Sequence, residues 1–209
     1  MFRRVAPLTV LLLAACSYYQ QDSDQTKSGS DKGESRDIQV YAATTDRMST
    51  RILFFKEGTP PTSPGQLVIS YGQPKWKPEY AEEFDELTRG KRWRFGNNNW
   101  TSMDTNLTLD IAGETVSPGH YYLLLERSQS DQWFLLLLDP TGVREKKLDA
   151  FYVDDAPEGA RAPLEWTSTE ETTEQLVVQL VPLEEDSNRA RLEIHWGNHR
   201  LTANVEMEL

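Results

Sequence analysis

Cysteine is almost missing from this 209-residue chain, with Cys16 the single example. One thiol excludes an internal disulfide and a zinc site built on paired thiolates. Histidine is scarce too, at three residues, and 22 Lys and Arg are outnumbered by 33 Asp and Glu. A formal charge of −11 repels phosphate backbones and anionic headgroups, which argues against nucleic acid as a partner and against membrane docking by charge. No apolar run approaches the roughly 20 residues that span a bilayer. There is no Gly-x-Ser-x-Gly elbow, no His-Glu-x-x-His and no phosphate-cradling glycine loop. The expectation is a protein that is not an enzyme and uses no cofactor and no metal.

The position of the lone cysteine is informative. Arg3 and Arg4 precede a short apolar stretch from Val5 to Leu13, which ends Leu13-Ala14-Ala15-Cys16. A basic start, a brief apolar segment and small residues at a cleavage point describe an export leader. With cysteine directly after the cut, it resembles the lipobox of bacterial lipoproteins. That resemblance implies removal of residues 1–15 and acylation of Cys16, anchoring the chain to a membrane through its lipid. Loss of the two leader arginines takes the formal charge from −11 to −13. Ser17 rather than Asp follows Cys16, which in the Gram-negative pattern favours the outer membrane. The expected location is the cell envelope, with the domain facing periplasm or exterior. Residues 16–37, rich in Ser, Asp, Gln, Lys and Gly, read as a flexible tether. Residues 38–209 read as the folded domain.

Within that domain the apolar pattern has period two. Leu107, Leu109 and Ile111 alternate with polar neighbours as in a strand with one wet face. Tyr121 to Leu125 and Trp133 to Leu138 are apolar on both faces, which fits central strands, and Ser128 to Asp131 supplies a hairpin turn between them. Arg51 to Phe55 and Leu67 to Tyr71 form another pair, joined by the loop Pro60 to Gly65. Leu176 to Val181 is a further buried strand. Near the C-terminus, Leu192, Ile194 and Trp196 lie on one face, Gly197-Asn198 reads as a two-residue turn, and Leu201, Ala203, Val205, Met207 and Leu209 continue the face. Only Tyr80, Phe84 and Leu87 follow helical spacing, among acidic neighbours. The fold expected is all-β, an antiparallel β-sandwich of jelly-roll type with one short helix.

Five motifs then occur in order: Ile69-Ser70-Tyr71-Gly72-Gln73-Pro74; Trp93-Arg94-Phe95-Gly96-Asn97-Asn98-Asn99-Trp100-Thr101; Val116-Ser117-Pro118-Gly119-His120-Tyr121 after Gly113; Trp133; and Leu192-Glu193-Ile194-His195-Trp196. Together they resemble a bacterial family catalogued as domain of unknown function 2911, over residues 50 to 209. The resemblance implies an exported or lipid-anchored β-domain and no assigned activity. This chain departs from the family pattern. Gln73 stands where Arg is expected and Asn98-Asn99-Trp100 where Asn-Glu-Ala is expected. The Lys-Gly-Arg after the opening is missing, and Lys146 to Asp155 replaces a Trp-Gly-Ala-Tyr run. A ligand held through those Arg and Glu positions would lose its partners here.

Candidate sites follow from residue chemistry. His195 and His199 are spaced like a metal pair, but a turn at Gly197-Asn198 sends their rings to opposite faces, and His120 has no acidic partner nearby in sequence. Asp154, Asp155 and Glu158 read as a solvated acidic turn, without the spacing of an EF-hand. The stretch from Trp93 to Thr101 is the strongest candidate. Either Trp93 and Phe95 are core and the asparagines satisfy a tight turn, or Arg94, Asn97, Asn98, Asn99 and Trp100 contact a ligand or partner through amide groups and an aromatic face. On the second reading Trp100 lies in a loop and Trp93 in the core. The functional expectation is a lipid-anchored binding or interaction module, for an envelope glycan or a protein partner. The alternatives are a structural envelope protein without small ligand and a periplasmic hydrolase with a dispersed site.

Overall fold

A computed structural model describes residues 46–56, 62–183 and 186–209. The side chains at 55, 56, 62–64, 186 and 187 are not described. The leader, Cys16, the tether and Pro60-Pro61 lie outside the described residues.

Among the described residues, ten strands and two short helices follow one another: β1 (Met48–Lys56), β2 (Thr62–Tyr71), α1 (Pro78–Thr88), β3 (Lys91–Trp93), β4 (Thr101–Thr105), β5 (Thr108–Ile111), β6 (Glu114–Val116), β7 (Gly119–Arg127), β8 (Trp133–Leu138), α2 (Pro140–Glu145), β9 (Ala160–Leu183) and β10 (Asp186–Glu208), with a 3-10 turn at Val153–Asp155. Every ladder is antiparallel, and the strands form one sheet in the order β1-β2-β4-β7-β8-β9-β10-β5-β6, with β3 added on β7. The chain is all-β, as its period-two patterning predicts.

β9 and β10 hold the two arms of this sheet together. The first residues of β9 pair with β8, its last with the first of β10, and the end of β10 pairs with β5. The first arm also curls back on β9. Leu176 N–H donates to the Pro74 carbonyl (3.0 Å), Trp76 N–H to that of Glu174 (2.7 Å), and Leu180 N–H to Thr50 Oγ1 (3.1 Å). One apolar core lies inside, with Leu67, Ile69, Met103, Leu109, Leu123, Leu135, Leu176, Val178, Ile194 and Val205 drawn from both arms.

β7 and β8 are apolar on both faces because both are covered. Leu123, Leu125, Leu135 and Leu137 face the main core, while Leu124, Leu136 and Leu138 face a second cluster closed by Val143 of α2, Ala150 and Ala156. Their hairpin pairs Arg127 with Trp133 as expected. α2 follows β8 directly. Asp139 caps it by accepting the Thr141 N–H at 2.7 Å, with Pro in the first turn.

Three expectations need correction. The loop read from Pro60 to Gly65 extends too far, because β2 already begins at Thr62. On α1, Leu87 is exposed, and the packed face runs through Tyr80, Phe84 and Thr88 instead. Gly197-Asn198 is no hairpin turn, since β10 runs through it. The β9–β10 hairpin closes at the Leu183–Asp186 pair, and Gly197, at φ +61°, forms a bulge opposite Thr173. Among the described residues, 169–172 of β9 have no ladder partner on β10. A glycine bulge of this kind and a primed turn both place a residue at positive φ, which glycine adopts without strain.

Candidate functional site

The stretch from Trp93 to Thr101 folds around its backbone. Asn98 is left-handed (φ +65°), Asn99 N–H donates to the Asn97 carbonyl (2.8 Å), and Trp100 N–H donates to Asn99 Oδ1 (2.8 Å). The asparagines therefore satisfy a turn, which starts β4 at Thr101. Asn98 and Asn99 remain exposed, and Arg94 lies over the Phe151 ring at 3.9 Å. Trp100 is not a loop residue facing solvent. It is buried in the second cluster and stacks on Tyr122 with ring centroids 5.2 Å apart. Trp93 is the half-buried one, against expectation, while Phe95 is fully buried. Trp93 still packs against the main core, and the expectation that fails is the exposed Trp100, because the turn sets this residue, just before β4, in the second cluster with Val143 of α2.

Trp93 belongs to a larger assembly. Of the six tryptophans, five converge: Trp76, Trp93, Trp133, Trp166 and Trp196, joined by Tyr80 and Phe84 of α1 and by His199. Trp196 is the hub. It stacks on Trp93 (4.9 Å), meets Trp76 edge-on (4.9 Å) and Tyr80 at 5.2 Å, and donates its indole N–H to the Pro74 carbonyl at 3.0 Å. The Gly197 bulge makes this geometry possible, because a Cβ there would overlap the Trp76 ring. Phe84, Trp93, Trp133, Trp166, Trp196 and His199, with Ile194 and Leu201 beneath, line a narrow cleft. Trp166 stands at its mouth, 45% exposed.

His199 is the one titratable group in the lining. Its ring lies flat on Phe84, centroids 3.5 Å apart and planes 8° from parallel, with Trp166 on another side at 5.9 Å. Both ring nitrogens are buried without a hydrogen-bond partner among the described residues. Burial lowers its pKa to about 4, and the nearby Arg127 charge adds to that. The imidazole is neutral at physiological pH. His195 sits apart, its Nε2 3.3 Å from Thr169 Oγ1. Among the described residues, no three His, Cys, Asp or Glu gather as a metal would require. Asp154 and Asp155 are exposed, and Glu158 is engaged by Arg92 at 2.8 Å.

A buried cation secures α1 over the cleft. Arg127 donates to Thr88 Oγ1 and contacts Asp85 and Asp131, each at 2.8 Å. Arg89 hydrogen bonds, with Arg127 adding to them, hold the carboxyls of Asp85 and Asp131 below the usual range. The Arg127 guanidinium also faces the rings of Trp133 (5.5 Å) and Phe84 (5.9 Å).

The family model described as protein of unknown function (DUF2911) matches residues 61–205. The chain belongs to this family. No curated protein and no solved structure matches the chain. The motifs on which the DUF2911 resemblance rests have definite places in the fold. Ile69 and Tyr71 are core, Gln73 donates to the Leu176 carbonyl at 3.0 Å, and Pro74 accepts the Trp196 indole, so the opening motif closes β2 onto β9. Trp93, Trp133, Ile194 and Trp196, from three other motifs, line the cleft. Position alone does not separate these residues from ordinary core in the sequence. Trp76, Trp166 and His199 carry no local signal that groups them with Trp93, because strand register brings them together.

Proposed function

We propose that this DUF2911 protein is an envelope lipoprotein, anchored through Cys16, whose β-domain is a binding module without cofactor that meets its ligand at the tryptophan cleft. The observation that carries the reading is the convergence of four tryptophans on one narrow cleft, with the large indole of Trp166 left half in water at its mouth. A ring of that size is normally buried or engaged, and exposed aromatic surface beside a concave apolar site is a usual mark of recognition. The cleft takes the place of Trp100 and the asparagine turn as the contact site, since Trp100 is enclosed by its own domain. Binding is favoured over catalysis because the only titratable side chain in the lining, His199, holds both nitrogens away from solvent and from any partner among the described residues. Anchoring rests on the lipobox resemblance, and Ser17 favours the outer membrane. No helix among the described residues is long and apolar enough to cross a bilayer.

Two measurements test this. Cys16→Ala should move the protein from the membrane fraction to the soluble fraction without unfolding it, and persistence in high-salt-washed membranes would refute the anchor. Full-length protein incubated with an envelope extract should retain a specific component that Trp166→Ala loses at unchanged melting temperature. Equal retention by the variant refutes the cleft as the contact site.

A further inference from the structure

We infer that the exposed aromatic pair Phe151 and Tyr152 docks the domain on the headgroup layer of the bilayer that holds its lipid. This rests on the Cys16 anchor proposed above and says how the anchored domain is oriented. Phe151 and Tyr152 are 62% and 63% exposed, and among the described residues no other large apolar side chains so exposed are adjacent in the chain. Exposed apolar surface concentrated at one place marks an interaction site. The turn that carries the pair is pinned. Asp149 accepts the Phe151 N–H on Oδ1 (2.9 Å) and the Tyr152 N–H on its carbonyl (3.0 Å). Ala150 and Val153, on either side, pack into the second cluster, so the two rings between them turn outward. The Arg94 guanidinium lies 3.9 Å from the Phe151 ring centre, a pairing of cation and apolar face that suits headgroup depth.

The place where the anchored chain joins the domain selects a lipid surface as the partner. Arg47 donates to the Trp100 carbonyl at 2.8 Å, and Trp100 belongs to the same second cluster as Ala150. The chain from Cys16 therefore joins the domain beside the aromatic turn. The 30 residues from Ser17 to Asp46 reach at most about 100 Å. That limit keeps this side of the domain close to the bilayer, where even a weak contact is made often. The charges near the turn are mixed, with Arg144, Lys146 and Lys147 against Glu145, Asp149, Asp154 and Asp155, all exposed. Attraction to anionic lipid is therefore not the driving force. Phe and Tyr settle at the boundary of headgroups and acyl chains through their apolar faces, with the Tyr hydroxyl in the wet layer. Phe84, Trp93, Trp133 and Trp196 of the cleft pack with the main core, on the face of β7 and β8 opposite the second cluster. Docking through the turn thus keeps the cleft away from lipid.

The test uses full-length lipoprotein purified from membranes and reconstituted in phosphatidylcholine vesicles. Cys16 carries the lipid and the chain has no other cysteine. Asp154→Cys therefore gives one thiol beside the pair for an environment-sensitive nitrobenzoxadiazole label, and Glu170→Cys on β9 is the control. The label at position 154 should shift its emission to the blue and be quenched by brominated phosphatidylcholine, and the label at position 170 should do neither. Phe151→Ser combined with Tyr152→Ser should cut the quenching at position 154 about tenfold, with melting and membrane retention unchanged. Equal signals from the two labels would overturn the inference, as would quenching that survives the double substitution. Shielding of position 154 in native envelope but not in pure lipid would overturn it too, by giving the pair a protein partner. If the protein stays on washed vesicles with position 154 in water, the docking falls and the anchor stands. If it does not stay on them, both fall.

Discussion

Replacing His199 with Leu should make the domain more resistant to acid. In the unfolded chain the imidazole titrates near 6.5, and in the fold burial lowers it to about 4. The folded value is the lower one, so between these two pH values the unfolded chain holds a proton that the folded chain does not. His199's contribution to stability is therefore fullest above pH 6.5, declines as pH falls toward 4, and levels off below that. From pH about 7.5 to about 4.5 the full shift corresponds to a loss of about 2.5 kcal/mol. The ring is only half-buried, and solvent screening reduces this to about 1.5 kcal/mol. Leu occupies a similar volume against Phe84, does not titrate, and removes two buried nitrogens that have no partner among the described residues. Urea denaturation of both proteins at both pH values isolates the effect, because the carboxylates titrate alike in each. Wild type should lose about 1.5 kcal/mol more than His199→Leu on acidification. Equal losses would show that His199 is solvated and that Phe84 and Arg127 do not enclose it.

Trp100→Ala should cost about 3–5 kcal/mol, as for a large aromatic removed from a core, while Trp166→Ala should leave the urea midpoint nearly unchanged. A Trp100 variant as stable as wild type would remove this residue from the second cluster. Gly197→Val should destabilise by about 2 kcal/mol or more, combining a strained left-handed backbone with overlap of the Trp76 ring. It should also alter the near-ultraviolet circular dichroism of the tryptophans, and an unchanged spectrum would dissociate the bulge from the cluster.

Much of the architecture is legible from local pattern. β7 and β8 announce themselves as double-faced apolar runs around a polar turn, and α1 as the only helical spacing in a period-two chain. What misleads is chemistry that serves two geometries. Gly197-Asn198 between alternating apolar residues looks the same for a hairpin turn and for a glycine bulge, since each uses a glycine at positive φ. Pairing with Thr173, far away in sequence, decides between them. Asn97 to Asn99 do form a turn, but composition does not say on which side of the sheet the next residue falls. The cleft was not legible at all. Its tryptophans lie on segments from Trp93 to Trp196, and only the sheet order that joins β3, β8, β9 and β10 superimposes them.

The shared strands β9 and β10 impose an order on assembly. They follow every other described strand in the chain, yet β8, β5 and the segment after β2 all need them as neighbours. Until they arrive, the earlier strands have open edges and an uncovered apolar face, the state in which β-chains cross-pair. Pairings such as Ile111 with Val205 span so much chain that closing them is slow. A chain interrupted before β10 has no half that can close by itself, so the domain gains its stability in one late step.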